Sequence, residues 1–508
     1  MKTLLWLVVI GAVWYPPRLT IVPQAGSTLS DVVEIRVTSS EPLRQVEFLL
    51  DGKVMGSDTS TPYTWTWDTL SVAEGEHLLT VRATDMNGRV VTTDVRYRVD
   101  NGLSRGGAFY LQTAQQHLVT QQWEEALKAA RRAVHLLPDD GHAHHLLAQA
   151  WLVVSQWEKA LQSAEQAVRL LPAPDTFATL AQAHLRLAFA QTVDQEKRFD
   201  SLRAAVDAAL RGAELRLSQA NAPIQKAQAL AQLGRLEDAA TAYLQAGNTA
   251  ENFLAAARCY LLAGRWQDAE RACNLAERRA ADKTTISVYR ALGQALQGKN
   301  REARQMLEQL SQSPLVTLAR ANVALRERKP SDAIRILAPL RTPRAVSDVV
   351  DTLIMTALAE TRDFARAEDH FRDALLRNPL NWLALAQKGY ETLAVGSTAT
   401  ARRYFELAAR IRPDDAWVLC GQALCAEDRN RAVRFAQQAA KQAPSDPWTL
   451  VVLSSVQWRA GQLDEAMRHI ERARQIDRDN YNFGSPPDLR RAAQIARILG
   501  RRPALPLE

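Results

Sequence analysis

Cysteine is scarce in this chain, four in 508 residues, and Cys259, Cys273, Cys420 and Cys425 form no CxxC pair. That spacing excludes a zinc ribbon or a dithiol redox centre. Long apolar runs are missing as well: beyond the first 15 residues no segment approaches the roughly 20 that cross a bilayer as a helix. No glycine-rich phosphate loop precedes a helix, and neither HExxH nor GxSxG occurs, so the common nucleotide-binding, zincin and serine-hydrolase chemistries have no starting motif. No acid, hydroxyl or thiol stands at an interpretable spacing from a base. The sequence therefore reads as noncatalytic, with no cofactor and no metal.

Blocks of one charge are lacking too. The net charge is +7 with 63 Lys and Arg. Eleven of these are Lys, so 63 minus 11 leaves 52 Arg. They lie beside acids along the whole chain, and the groups at Arg131-Arg132, Arg402-Arg403 and Arg490-Arg491 read as solvated helix faces and not as a phosphate-binding stripe. Nucleic acid is not expected as a partner; a mildly basic surface favours acidic ones. Five of nine histidines cluster between His117 and His145. His142 and His145 share a helix face at spacing three, but no neighbouring carboxylate or cysteine completes a metal set. The cysteines read as buried thiols, with a Cys259–Cys273 bridge as the weaker alternative.

What is abundant is alanine at a nearly fixed interval. Ala126, Ala160, Ala205, Ala239, Ala269, Ala303, Ala333, Ala367, Ala401, Ala432 and Ala466 are separated by 34, 45, 34, 30, 34, 30, 34, 34, 31 and 34 residues. Trp123-Glu-Glu-Ala126 returns as Trp157-Glu-Lys-Ala160, and Ala133 and Pro138 return as Ala167 and Pro172. Ala401, Phe405, Ala408 and Pro413 follow Ala367, Phe371, Ala374 and Pro379 in step. Small residues at offsets 0 and 7, with a larger apolar residue at offset 4, form one helix face that lets a second helix approach closely. A proline then ends the helix. Such a period marks a stacked helix-pair array, which offers a concave surface for gripping something else. The 45-residue step, polar from Gln191 to Asp200, predicts lengthened helices or a loop. Steps of 30 predict a shortened turn or helix.

On these positions the segment from 105 to about 480 resembles the tetratricopeptide (TPR) repeats. The resemblance implies a right-handed α-solenoid of about eleven helix pairs over residues 108–480, with a helix A and a helix B in each. It implies a protein or peptide partner in the groove lined by the A helices, where His142, His145 and Gln149 in one copy and Glu251, Leu254 and Arg258 in another would face it. Leu111, Gln115 and Leu146 occupy places where some members carry a carboxylate clamp, so that activity is not expected here.

Residues 17–100 follow a different rule. Val32–Val37, Gln45–Leu50, Thr64–Trp67, His77–Ala83 and Val90–Val99 read as short strands, with Asp51-Gly52, Gly75 and Asn87-Gly88 in the turns. The run Val46-Glu-Phe-Leu-Leu-Asp-Gly-Lys, then Thr61-Pro-Tyr-Thr-Trp-Thr-Trp-Asp and Ala83-Thr-Asp-Met-Asn-Gly88, resembles bacterial immunoglobulin-like domains. That implies a small antiparallel β-sandwich. Tyr63, Trp65 and Trp67 point to one strand face and read as core, with a sugar-stacking platform as the alternative. A glycine-containing linker, 101–107, is expected to let the two parts move.

The first 15 residues, Lys2 followed by an apolar stretch from Leu4 to Tyr15, read as a signal peptide or an uncleaved N-terminal anchor. Residues 485–500 predict a capping helix for the last repeat. Together these readings describe an exported scaffold of the bacterial cell envelope, periplasmic or extracellular, with membrane association possible through residues 3–15. Carbohydrate adhesion through the β-domain and regulation of an envelope enzyme are the competing functions.

Overall fold

Alternation of inward and outward side chains builds the N-terminal strands. The computed structural model describes residues 17–190, 194–341, 347–444, 446–476 and 488–498. The expected signal or anchor segment, residues 1–15, lies outside them. The chain divides after Gln156 into two compact units.

In the first unit, eight strands run β1 (Leu19–Val22), β2 (Thr28–Leu29), β3 (Val32–Ser39), β4 (Leu43–Leu50), β5 (Lys53–Asp58), β6 (Tyr63–Asp68), β7 (Gly75–Asp85) and β8 (Val90–Val99). They form two sheets, ordered β1-β3-β6 and β2-β8-β7-β4-β5. All pairings are antiparallel except the two-residue β2–β8 contact. Ile35, Val37, Phe48, Trp67, Leu79, Val81 and Tyr97 fill the space between the sheets. Asp51 and Gly52 both take positive φ in the β4–β5 hairpin, as a tight primed turn requires.

The linker makes specific contacts within the first unit. Leu103–Arg105 is a short 3-10 turn, and the Tyr110 hydroxyl donates to the carbonyls of Asn101 and Gly102. Asp31, buried at φ 58°, donates its N–H to the Asn101 side chain at 2.8 Å. Its carboxylate accepts from Arg132, while Arg131 pairs with Asp68 at 2.5 Å. Burial pushes the Asp31 carboxyl above its usual range, against the pull of Arg132, Arg131 and Lys128. The same unit carries α1 (Gly107–Val119), α2 (Trp123–Leu136) and α3 (Gly141–Val153).

The second unit continues with α4 (Trp157–Leu170), α5 (Pro174–Ala188), α6 (Gln195–Ser218), α7 (Pro223–Gln232), α8 (Leu236–Gln245), α9 (Ala250–Leu262), α10 (Trp266–Glu277), α11 (Lys283–Leu296) and α12 (Asn300–Glu308). Then come α13 (Pro314–Arg326), α14 (Pro330–Leu337), α15 (Asp348–Glu360), α16 (Phe364–Arg377), α17 (Trp382–Ala394), α18 (Thr398–Ile411), α19 (Ala416–Cys425), α20 (Arg429–Gln442), α21 (Pro447–Arg459), α22 (Leu463–Ile476) and α23 (Leu489–Ile498).

In chain order α1 to α22 make eleven successive A/B pairs, and all eleven periodic alanines are buried. Within each unit their bare methyls permit the close approach of A to B. Nine A–B turns carry a residue at positive φ: Gln121, Ser155, Gly234, Gly264, Gly298, Arg328, Arg362, Gly396 and Gly461. A left-handed residue there satisfies the last carbonyls of helix A. Asp140, Thr249, Asp282, Ser313, Ser347, Asp415 and Asp446 cap A helices with their side chains. The irregular steps have visible causes. The 45-residue step contains the 24-residue α6; the 30-residue steps contain the 10-residue α8 and the 9-residue α12; the 31-residue step contains the 10-residue α19.

Candidate binding surfaces of the helical array

Helix A residues three and seven apart share a face, and the two expected trios follow that rule. On α3, His142 is exposed, while His145 and Gln149 are half-buried, with the His145 ring 3.2 Å from the Gln149 amide nitrogen. His144 turns away, its ring donating to the Pro138 carbonyl at 2.7 Å. On α9, Glu251 is exposed and Leu254 and Arg258 are half-buried. The trios lie in different units. Among the described residues no group of three His, Cys, Asp or Glu stands close enough to hold a metal ion.

A second surface arises from contacts that no periodicity announces. Helices α5 and α6 pack against α16 and α18, closing the array on itself within the second unit. Gln182 donates to the Leu376 carbonyl at 2.7 Å, Arg410 pairs with Asp207 at 2.5 Å, and Arg198 pairs with Glu368. Phe199 meets Tyr404 with ring centroids 4.7 Å apart, and Phe189 meets Phe371 at 5.9 Å. Lys388 completes the charged cluster, 2.7 Å from Glu368 and 2.6 Å from Glu391. Burial raises the Glu391 carboxyl despite Lys388. Burial also acts on Glu368, but Lys388 and Arg198 together outweigh it and hold that carboxyl below its usual range.

Beside the closure lies an open cavity of ≈ 1050 Å³ lined by helix ends and the turns between them. Arg235, Asp238, Arg410, Asp414 and Lys441 line it, so its walls carry both signs of charge. Gly234, at φ 72°, lets the α7–α8 turn approach the end of α18, where an added Cβ would stand 2.8 Å from the Ile411 carbonyl oxygen. None of Glu251, Leu254 and Arg258 lines this cavity. Sequence reasoning missed it because its lining comes from helix ends and turns of distant repeats. Lys388, a lysine inside the largely apolar run Trp382–Ala394, is the signal that was there to be read for the seam.

The aromatic strand is interior. Tyr63 and Trp67 are buried, the Tyr63 hydroxyl donates to the Leu43 carbonyl at 2.9 Å, and half-buried Trp65 stacks on Trp67 at 5.7 Å. The four cysteines are buried free thiols. Burial pushes Cys259 up to about 11 and Cys273 up to about 12, far from reactivity at neutral pH. Among the described residues no helix is long and apolar enough to cross a membrane.

With this geometry in hand, comparison with known proteins gives two family matches: a bacterial Ig domain at residues 17–81 and a tetratricopeptide repeat at residues 111–173. In Komagataeibacter xylinus, a cellulose synthase operon protein C is 32% identical over 109 residues, covering 20% of this chain and 8% of the relative. A cellulose synthase 1 operon protein C from the same organism is 32% identical over 126 residues, covering 23% and 9%. The matched stretch is thus less than a tenth of those relatives' length. Among solved structures, the APC/C hetero-tetramer Cut9–Hcn1 shares 13% identity over 78% of this chain and 84% of its own, with a TM-score of 0.41. The fibronectin(III)-like modules of Clostridium thermocellum CbhA share 25% identity over 16% of this chain and 96% of theirs, with a TM-score of 0.15.

Proposed function

We propose, for a chain that joins a bacterial Ig domain to tetratricopeptide repeats, the role of a noncatalytic scaffold that binds a protein or peptide along its A helices. The observation that carries this reading is the array itself, eleven A/B pairs with the A helices of α3 and α9 presenting polar and aliphatic side chains together. His142, His145, Gln149, Glu251, Leu254 and Arg258 are the proposed contacts. Many modest contacts share the affinity, so one substitution weakens binding without abolishing it.

The setting proposed is the bacterial cell envelope. A bacterial Ig domain and a stretch shared with a protein of a cellulose synthase operon both support it. Residues 3–15 serve in this reading as an export signal or anchor.

The test is affinity capture from detergent-solubilised envelopes with the full chain and with the full chain carrying Leu254→Glu and Arg258→Glu. Retention of a discrete protein by the first and its severalfold loss from the second supports the reading. Equal retention by both removes the groove assignment, and retention of polysaccharide in place of protein replaces scaffolding with adhesion.

A further inference from the structure

The last helix does not continue the stack. A next A helix would lie against α21 and α22; α23 instead packs chiefly on α21, meets α22 less, and reaches α17, two repeats back. Since α17 and α21 are both A helices, α23 lies on the A-helix side of the array. That is the side on which the repeats would hold a partner.

Its composition suits a detachable occupant. Asp488 caps the helix by accepting from the N–H groups of Arg490 and Arg491. Leu489 and Ala492 pack into the core of the last repeats, with Ala492 fully buried, while Arg490 and Arg491 point to solvent. Ten residues make a helix too short to persist alone in water. What lies beneath is more demanding. Every residue of α21 from Trp448 to Gln457 is buried, so withdrawal of α23 bares an apolar strip that includes part of α21.

We infer that the A-helix face of the last three repeats is a helix-binding site, held in cis by α23 and open to a partner helix of the same chemistry. The fitting occupant is an amphipathic helix with small aliphatic residues three and four apart, as Leu489, Ala492 and Ala493 are, and a charged outer face. A partner must displace α23, so the cis helix lowers partner affinity by the fraction of time the site is filled. The inference rests on the array being a binding scaffold, but its test needs no envelope partner, and failed capture leaves it standing.

The test uses the full chain. In hydrogen exchange, the α23 amides should exchange at least a hundredfold faster than those of α21 while the array stays folded; exchange of both at one rate overturns the inference. A fluorescent peptide of residues 488–500 should bind the full-length Ala492→Glu variant at least tenfold more tightly than the unaltered chain. Equal binding, or melting of α17–α22 together with α23 in that variant, shows an integral part of the core and overturns it as well.

Discussion

Arg198 and Glu368 stand 170 positions apart in the chain and form an ion pair at the seam where α6 meets α16. Lys388 joins Glu368 to Glu391 on the same seam. Replacing Arg198 by Met leaves Glu368 with Lys388 alone. The pair is neither fully exposed nor fully buried, so the expected loss is roughly 1–3 kcal/mol, between the values for surface and buried pairs. Urea unfolding followed by far-UV circular dichroism measures it, and an unchanged midpoint would show that the seam does not depend on this pair.

Phe405 is wedged against two backbone positions without side chains. A Cβ on Gly389 would stand 2.9 Å from its ring, and one on Gly421 would collide with it outright. Gly421→Ala should therefore destabilise the array by roughly 1–3 kcal/mol through overpacking. Phe405→Leu in the same chain should recover part of that loss, giving a coupling of about 0.5–3 kcal/mol in a double-mutant cycle. Strict additivity of the two changes would rule the wedge out.

In the sandwich, His77 donates from both ring nitrogens, to Asp51 at 2.7 Å and to the Ala73 carbonyl at 2.8 Å, which only the imidazolium can do. Burial opposes the charged ring, but these bonds prevail and raise its pKa above the ordinary 6.5. The stabilisation is thus complete below the unfolded value and fades as pH rises through the raised folded one. Asp51 shows the reverse case. Its bond with His77 and the Leu78 N–H hold it below the ordinary 3.8, so its contribution is present above that value and is lost on acidification through the lowered one. Between pH about 6 and about 9 the melting temperature of the β-domain should fall in the parent chain and stay flatter in His77→Gln. Parallel profiles would refute the assignment.

Asp31 depends on Arg131 and Arg132. With both replaced by Met, a buried carboxylate loses its two guanidinium partners and keeps only the pull of Lys128, and the expected cost is roughly 3–5 kcal/mol if the ion stays charged in place. The junction should then open, seen as faster protease cleavage within residues 101–106. Unchanged cleavage would mean that Tyr110 and Asn101 hold the linker by themselves.

The repeats were legible because close approach of two helices tolerates only small side chains, and Ala126, Ala160 and the other nine advertise it in one dimension. The alternating strands from Val32 to Val99 were legible for the same kind of reason. Three strands were not. β1 and β2 are too short to show a period, and β5 carries Gly56 and exposed Lys53, Val54 and Met55 where alternation should have been. Gly102 and Gly106 give no sign of the contacts of Asp31, whose partners lie 70 and 101 positions away. Residues 485–500 were expected as a cap. α23 exists at Leu489–Ile498, but its seat against α17 depends on three-dimensional neighbours that no periodicity encodes.

The seam between α6 and α16 also sets a schedule. On a ribosome adding about 5–20 residues each second, Arg198 and Phe199 emerge roughly 9–40 s before Glu368 and Tyr404. For that interval the Phe199 side of α6 lacks its cover from Tyr404, so the nascent chain exposes a sticky surface midway through synthesis. A chaperone that binds short apolar stretches has its natural window there, and it closes when α16 to α18 arrive.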